Sequence, residues 1–193
     1  MSARDGIRRD GIRRDEPRRV EIRLAGEGGQ GLILAGLILA EAAVIHDGKH
    51  ACQTQSYGPE ARGGASKSEV IIDSQPIDYP KVMAADILLA LSQEACDQYF
   101  GDLKRDGVLV VDSGLVKRVP TNKAHRLPIT QVAKEATGRT ITANIVGLGV
   151  VGGLTGIVSR EALEAAVCAR APRGTVELNL LALARGYELV EKL

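Results

Sequence analysis

Apolar residues recur along this chain with two different periods, and the switches between them mark its elements. Val20–Leu24 alternates apolar and charged side chains, the period of a strand. Leu32 to Ile45 is an apolar helical run. His50–Gln55 and Glu69–Ile72 read as strands, while Ile87–Leu91 and Val108–Val111 are continuous apolar runs suited to strands buried on both faces. Between the latter two, Glu94–Leu103 is predicted as a short helix, opened by Ser92 as N-cap and closed near Asp106-Gly107. Thr130–Thr137 is a further helix, stopped by Gly138. The last third is helical: Asn144–Val158, Arg160–Arg170 and Thr175–Lys192, separated by Ser159 and by Pro172-Arg173-Gly174.

Strands alternating with helices predict an α/β fold: a three-layer α/β/α sandwich, Rossmann-like, with a mostly parallel sheet over residues 20–193. The first strand fits this scheme badly. A central strand should be apolar throughout, yet Glu21 and Arg23 interrupt it. The expectation is that one of its faces is open or that a partner chain covers it.

Composition narrows the class. A length of 193 residues suits one domain, and 45% hydrophobic with 25% charged residues is ordinary for a soluble globular protein. Trp is absent and Phe100 is the single Phe, so the core must be aliphatic. Cys52, Cys96 and Cys168 lie far apart with no C-x-x-C, which argues against a sequence-local iron–sulfur or zinc site and fits reduced thiols in the cytoplasm. The N-terminus is charged, unlike a secretory signal. Residues 1–19 hold seven Arg against three Asp and one Glu and repeat Asp-Gly-Ile-Arg-Arg twice, which reads as a disordered basic extension.

The chemistry is sparse. Gly26-Glu27-Gly28-Gly29-Gln30-Gly31 sits between a strand and a helix, where bare N–H groups at a helix N-terminus can hold an anion. Ser56 to Lys67 is a long loop punctuated by glycine and proline, with Arg62 able to fork two hydrogen bonds to a phosphate or carboxylate. If their strands are parallel, both loops leave carboxyl ends, where ligands of α/β sheets sit. A second glycine pattern, Gly147-x-Gly149-x-x-Gly152, is read as helix packing, because Gly149/Gly153 and Gly152/Gly156 let helices approach closely. With 16 residues, Ala143 to Val158 falls short of a membrane span.

An NAD site would need an acid at the end of the second strand, where Gln53-Thr54-Gln55 stands; Asp47 has nearly the right spacing but lies in the preceding turn. His46 and His50 are separated by the helix-breaking Asp47-Gly48, and His125 is read as an isolated surface residue. There is no G-x-S-x-G, P-loop or H-E-x-x-H pattern and no thiamine-diphosphate motif. No catalytic constellation is visible, which suits a binding or docking subunit.

The glycine turn with its helix start, GEGGQGLILAG, and the segment QTQSYGPEARGGASKSEV (Gln53–Val70) together resemble the gamma subunits of 2-oxoacid:ferredoxin oxidoreductases, those of the 2-oxoglutarate type above all. The resemblance runs from about Val20 to Leu193 and takes in Asp78-Tyr79-Pro80, Asp86–Ser92, Val110–Ser113, Ala143–Gly156 and Gly174–Glu188. It implies a cytoplasmic multisubunit enzyme that decarboxylates a 2-oxoacid on thiamine diphosphate with Mg2+, passes electrons through [4Fe–4S] clusters to ferredoxin and releases the acyl group to coenzyme A. The cofactors would belong to partners: the alpha and beta thiamine-binding subunits and a ferredoxin-like subunit. Neither nucleic acid nor membrane is implied, and this chain alone would hold no metal and carry no catalytic residue.

Carried over position by position, the resemblance assigns cofactor binding to Gly26, Gly28, Gly29, Gln30 and Gly31, and to Ser56, Tyr57, Gly58, Pro59, Glu60, Arg62, Gly63, Gly64 and Ser66. The glycine-rich helix Gly147–Gly153 departs from the family's alanine-rich one. Enzymes for pyruvate, branched-chain 2-oxoacids or indolepyruvate are alternatives within the class. Outside it stand a stand-alone nucleotide-binding regulator and a purely structural scaffold.

Overall fold

The structure is a computed structural model and describes residues 19–56 and 65–193. Its centre is a six-stranded sheet in the order β2-β3-β1-β4-β5-β6. The strands are β1 (Arg19–Gly26), β2 (His50–Ser56), β3 (Ser66–Asp73), β4 (Ala85–Ala90), β5 (Leu103–Asp112) and β6 (His125–Leu127). β1, β4, β5 and β6 pair in parallel, whereas β3 runs antiparallel to both β1 and β2. Five strands therefore point one way, as the sequence predicts, and β3 alone is reversed. The chain enters β1 at Arg19, one residue earlier than predicted; the rest of the basic extension lies outside the described residues.

Alternation along β1 sends Ile22 and Leu24 to one face of the sheet and Ala25 to the other. On the first face α1 (Leu32–Glu41) lies over β2 and β3, and α4 (Ala143–Thr155) over β4. Around these two pack α3 (Ile129–Thr137), α5 (Arg160–Arg170) and α6 (Val176–Val190). Among the described residues, the opposite face carries α2 (Gln93–Tyr99), Ala65, Phe100 and the apolar residues Val116, Val119 and Ala124 of the segment leading to β6. Three layers are present, one of them thin.

Local signals act as the sequence predicts. Ser92 Oγ accepts from Ala95 N at 3.1 Å and starts α2, while Gly138, with φ +72°, receives the last turn of α3. The glycines of α4 serve packing and form no second anion loop. A Cβ on Gly149 would stand 2.3 Å from the Leu183 carbonyl, and one on Gly186 would stand 2.2 Å from that of Val146. The two helices touch backbone to backbone, and only glycine permits that approach.

Three expectations are corrected. Asp106-Gly107 does not close a helix: α2 ends at Tyr99, a 3-10 turn covers Phe100–Asp102, and β5 already begins at Leu103. The turn-like pair instead marks an irregularity in β5, where Leu103 pairs with Ala85 but Val108 with Ile87, so extra residues bulge out. His125 is no isolated surface residue; it is half-buried and opens β6 opposite Val110.

The third correction concerns β1. Its charged face is neither open nor left to a partner, because the chain itself neutralises it. Arg23 is buried, with Nε and Nη2 on Glu69 Oε1 at 2.8 Å and Nη1 on Asp102 Oδ2 at 2.7 Å. Its guanidinium also lies over the Tyr99 ring, 4.9 Å from the centroid. Glu21 accepts from Arg19 Nε at 2.9 Å, Met83 N at 2.6 Å and Ala84 N at 3.2 Å.

Candidate functional site

β1 hands its chain to α1 on one face of the sheet, and the neighbouring parallel strand β4 hands its chain to α2 on the other. A crevice opens between such diverging connections beyond the carboxyl ends of the strands, the usual ligand position in α/β sheets. The Gly26–Gly31 turn sits at that crevice. Gln30 holds it in shape: its Oε1 accepts from Glu27 N at 2.8 Å, and its Nε2 donates to the Leu91 carbonyl at 3.2 Å, just beyond β4. Gln30 thus spans the crevice as a strut.

The turn ends in Gly31, the N-cap of α1, with φ +75°. The first intrahelical bond runs from Ala35 N to the Gly31 carbonyl at 3.1 Å. The N–H groups of Leu32, Ile33 and Leu34 precede that bond, no side chain caps them, and no acid stands in the first turn. Gly28 is open: a Cβ there would meet nothing within 4 Å, and its φ is not positive. Bare donors, a favourable helix dipole and no side chain in the way make this a receptive place for an anion.

The second predicted loop starts and ends at the same rim. Gly26 pairs with Ser66, and Ser56 pairs with Lys67. Ser66 is buried, and Ser56 closes β2. Tyr57, Gly58, Pro59, Glu60, Arg62, Gly63 and Gly64 lie outside the described residues. The foot of the loop is clamped: Lys67 Nζ reaches Glu69 Oε1 at 3.0 Å and lies 5.5 Å from the Tyr99 centroid, with Arg23 against the same ring. Burial pushes the Tyr99 phenol above its usual range, the Arg23 charge opposing.

Beside Gly31 opens a cavity of about 300 Å³ that sequence reasoning missed. It is framed by the starts of α1, α4 and α6, with Leu34, Ile141 and Leu178 among its walls and Arg139 beside them. Asn144 Nδ2 donates to the Gly31 carbonyl at 2.9 Å and joins cavity to turn. Gly31 and Asn144 are 113 positions apart, so no spacing rule could have paired them.

Asp47, weighed as a ribose ligand, is occupied elsewhere. It accepts from Ser159 N at 2.7 Å and from Ser159 Oγ at 2.6 Å, bracing the start of α5. Cys52, Cys96 and Cys168 stand on β2, α2 and α5, and among the described residues no three His, Cys, Asp or Glu gather as a metal site. No helix among the described residues is long and apolar enough to cross a membrane.

Residues 21–189 match the family described as pyruvate ferredoxin/flavodoxin oxidoreductase. The chain belongs to this family. Among curated relatives in it, a 2-oxoglutarate synthase subunit KorC of Methanocaldococcus jannaschii is 53% identical over 177 residues, covering 90% of this chain and 95% of that one. The crystal structure of the gamma subunit of a keto/oxoacid ferredoxin oxidoreductase from Geobacter sulfurreducens is 55% identical, with a TM-score of 0.83 over 90% of this chain and 97% of that one. The 2-oxoglutarate:ferredoxin oxidoreductase of Magnetococcus marinus, solved with 2-oxoglutarate, coenzyme A and succinyl-CoA bound, is 26% identical with a TM-score of 0.79. The match takes in 92% of this chain but 32% of that one, so one segment of a longer oxidoreductase polypeptide carries this fold. The resemblance read from the two loop motifs is borne out: the chain is of the gamma-subunit kind, part of an oxidoreductase assembly.

Proposed function

We propose that this chain is the gamma subunit of a cytoplasmic 2-oxoglutarate:ferredoxin oxidoreductase, and that its glycine turn takes the diphosphate of coenzyme A. The reaction joins a 2-oxoacid carboxylate and the thiol of coenzyme A into an acyl thioester and releases carbon dioxide, one proton and two electrons. Thiamine diphosphate with Mg2+ supplies the carbanion chemistry, and [4Fe–4S] clusters carry the electrons to ferredoxin; both belong to partner subunits, the alpha, beta and ferredoxin-like chains.

The work of this chain is binding and orientation. The N–H groups of Gly28, Gly29 and Gly31 to Leu34 receive phosphate oxygens, Gln30 keeps the turn rigid across the β1/β4 crevice, and Ser56, Ser66 and Arg62 are assigned to the same ligand on the resemblance of the second motif. One observation carries the reading. The uncapped start of α1 lies at the crevice between β1 and β4, and a relative of the same fold was solved with coenzyme A.

The test is reconstitution of the complex with and without this chain, following ferredoxin reduction by 2-oxoglutarate and coenzyme A. Reduction that requires this chain, both substrates and 2-oxoglutarate in preference to pyruvate supports the reading. A chain that joins no complex, or a complex with higher kcat/KM for pyruvate, contradicts it.

A further inference from the structure

Nothing at the glycine turn calls for the arginine-rich extension, whereas the opposite rim of the sheet has a place for it. There an open cleft of about 430 Å³ lies between the last turns of α4 and α6 and the first turn of α5. Independently of the coenzyme A reading, we propose that this cleft docks residues 1–18 of the same chain, which lie outside the described residues, with their arginines against its acids.

The cleft is negative and unbalanced. Two helix C-termini open into it, and neither α4 nor α6 has a basic residue in its last turn. Glu161 and Glu191 stand exposed in its walls and make no ion pair among the described residues. Arg160 is the one base lining it, and that charge is tied to Glu164 at 3.0 Å. The Arg160 guanidinium also lies 4.8 Å from the Tyr187 ring centroid, so the ring already takes a cation of the kind the extension carries. Tyr187 is 9% exposed, yet its hydroxyl, set against Gly152 in the cleft wall, has no hydrogen-bond partner among the described residues. An arginine N–H supplies the missing donor.

Position and reach select this occupant. Arg19 pairs with Asp73, and Asp73 lines a small cavity that shares Gly156 with the cleft, so the extension leaves β1 beside it. Residues 1–18 hold six Arg against three Asp and one Glu, and both repeats end in Ile-Arg-Arg, an apolar side chain followed by two guanidiniums. Val158 and Val190 give the cleft an apolar surface for that isoleucine. Arg14 and Arg9 precede Arg19 by five and ten residues, about 17 and 34 Å of extended chain, enough to pass one small cavity.

Disulfide trapping in the full chain tests the assignment. In a Cys52→Ser, Cys168→Ser background, Ile7→Cys or Ile12→Cys is combined with Val190→Cys in the cleft, or with Gly101→Cys as control. Gly101 is exposed at the same end of the sheet on its other face. At least one cleft pair should close its intramolecular disulfide at least about tenfold faster than its control. High salt, or Glu161→Lys together with Glu191→Lys, should abolish that advantage. Equal rates in cleft and control pairs, or an advantage that survives the charge reversal, would overturn the assignment. So would disulfides formed only between two copies, which would give the cleft to the extension of a second molecule.

Discussion

Asn144 and Gly31 are joined by a 2.9 Å hydrogen bond from the side-chain amide to the backbone carbonyl, which fastens the start of α4 to the last residue of the glycine turn. The same carbonyl accepts from Ala35 N, so removing the amide leaves it satisfied. Asn144→Ala should therefore cost about 1 kcal/mol in urea unfolding. Asn144→Asp sets an acceptor against an acceptor and adds a negative charge beside the anion site. It should cost more and raise the KM for coenzyme A severalfold, while Asn144→Ala moves that KM less.

The crossing of α4 over α6 gives a sharper prediction. A Cβ on Gly186 would lie 2.2 Å from the Val146 carbonyl oxygen and 2.9 Å from Val150 N, both backbone atoms that cannot swing aside. Gly186→Ala must push the helices apart and should cost at least about 1–3 kcal/mol. Gly101→Ala, where a Cβ meets nothing within 4 Å, is the matched control and should be close to neutral. Urea midpoints of the two variants decide it.

Glu21 predicts the acid side of the stability curve. Burial pushes its carboxyl up, but the bonds from Arg19, Met83 N and Ala84 N outweigh that and hold it below the ordinary 4.5. A carboxyl lowered by folding contributes stability that is complete above 4.5 and fades as pH falls through the lowered folded value. Glu21→Gln should lower stability at neutral pH, and its deficit against the wild type should shrink as the solution is acidified below 4.5. Unfolding free energies measured between pH 3 and pH 7, a range of roughly four units around these values, test the sign.

The three thiols should separate by rate. Burial raises the Cys96 pKa, helped by Asp97 and opposed by Arg126, so little of the reactive thiolate forms there. Cys168 is exposed on α5 and Cys52 half-buried on β2. An aromatic disulfide reagent should label Cys168 first and Cys96 only on unfolding. Fast labelling of Cys96 in the native protein would contradict the packing of α2 against the sheet.

Much of this was legible in the chain because the cues were local. The alternation of β1, the glycine turn, the apolar α1, Ser92 as cap and Gly138 as stop all act within a few residues of themselves. The glycines of α4 were readable as packing from their spacing, although their partner Gly186 was not. What escaped depends on distant pairs. Arg23 looked misplaced because Glu69 and Asp102, which neutralise it, lie 46 and 79 residues away. β6 is three residues long, too short to show a period, and the bulge of β5 carries a turn's residues inside a strand. At the site, the turn was visible from its glycines, whereas the cavity beside it exists only where three helix starts meet.

Gly28 offers the most direct test that the glycine turn carries coenzyme A. A Cβ there meets nothing within 4 Å and demands no positive φ, so Gly28→Asp should leave the melting temperature close to that of the wild type. Saturation kinetics of the assembled complex, with coenzyme A as the varied substrate, should show its KM raised at least about tenfold, or 1.4 kcal/mol, with the KM for the 2-oxoacid unchanged. A coenzyme A KM equal to that of the wild type in a fully assembled Gly28→Asp complex would contradict the account.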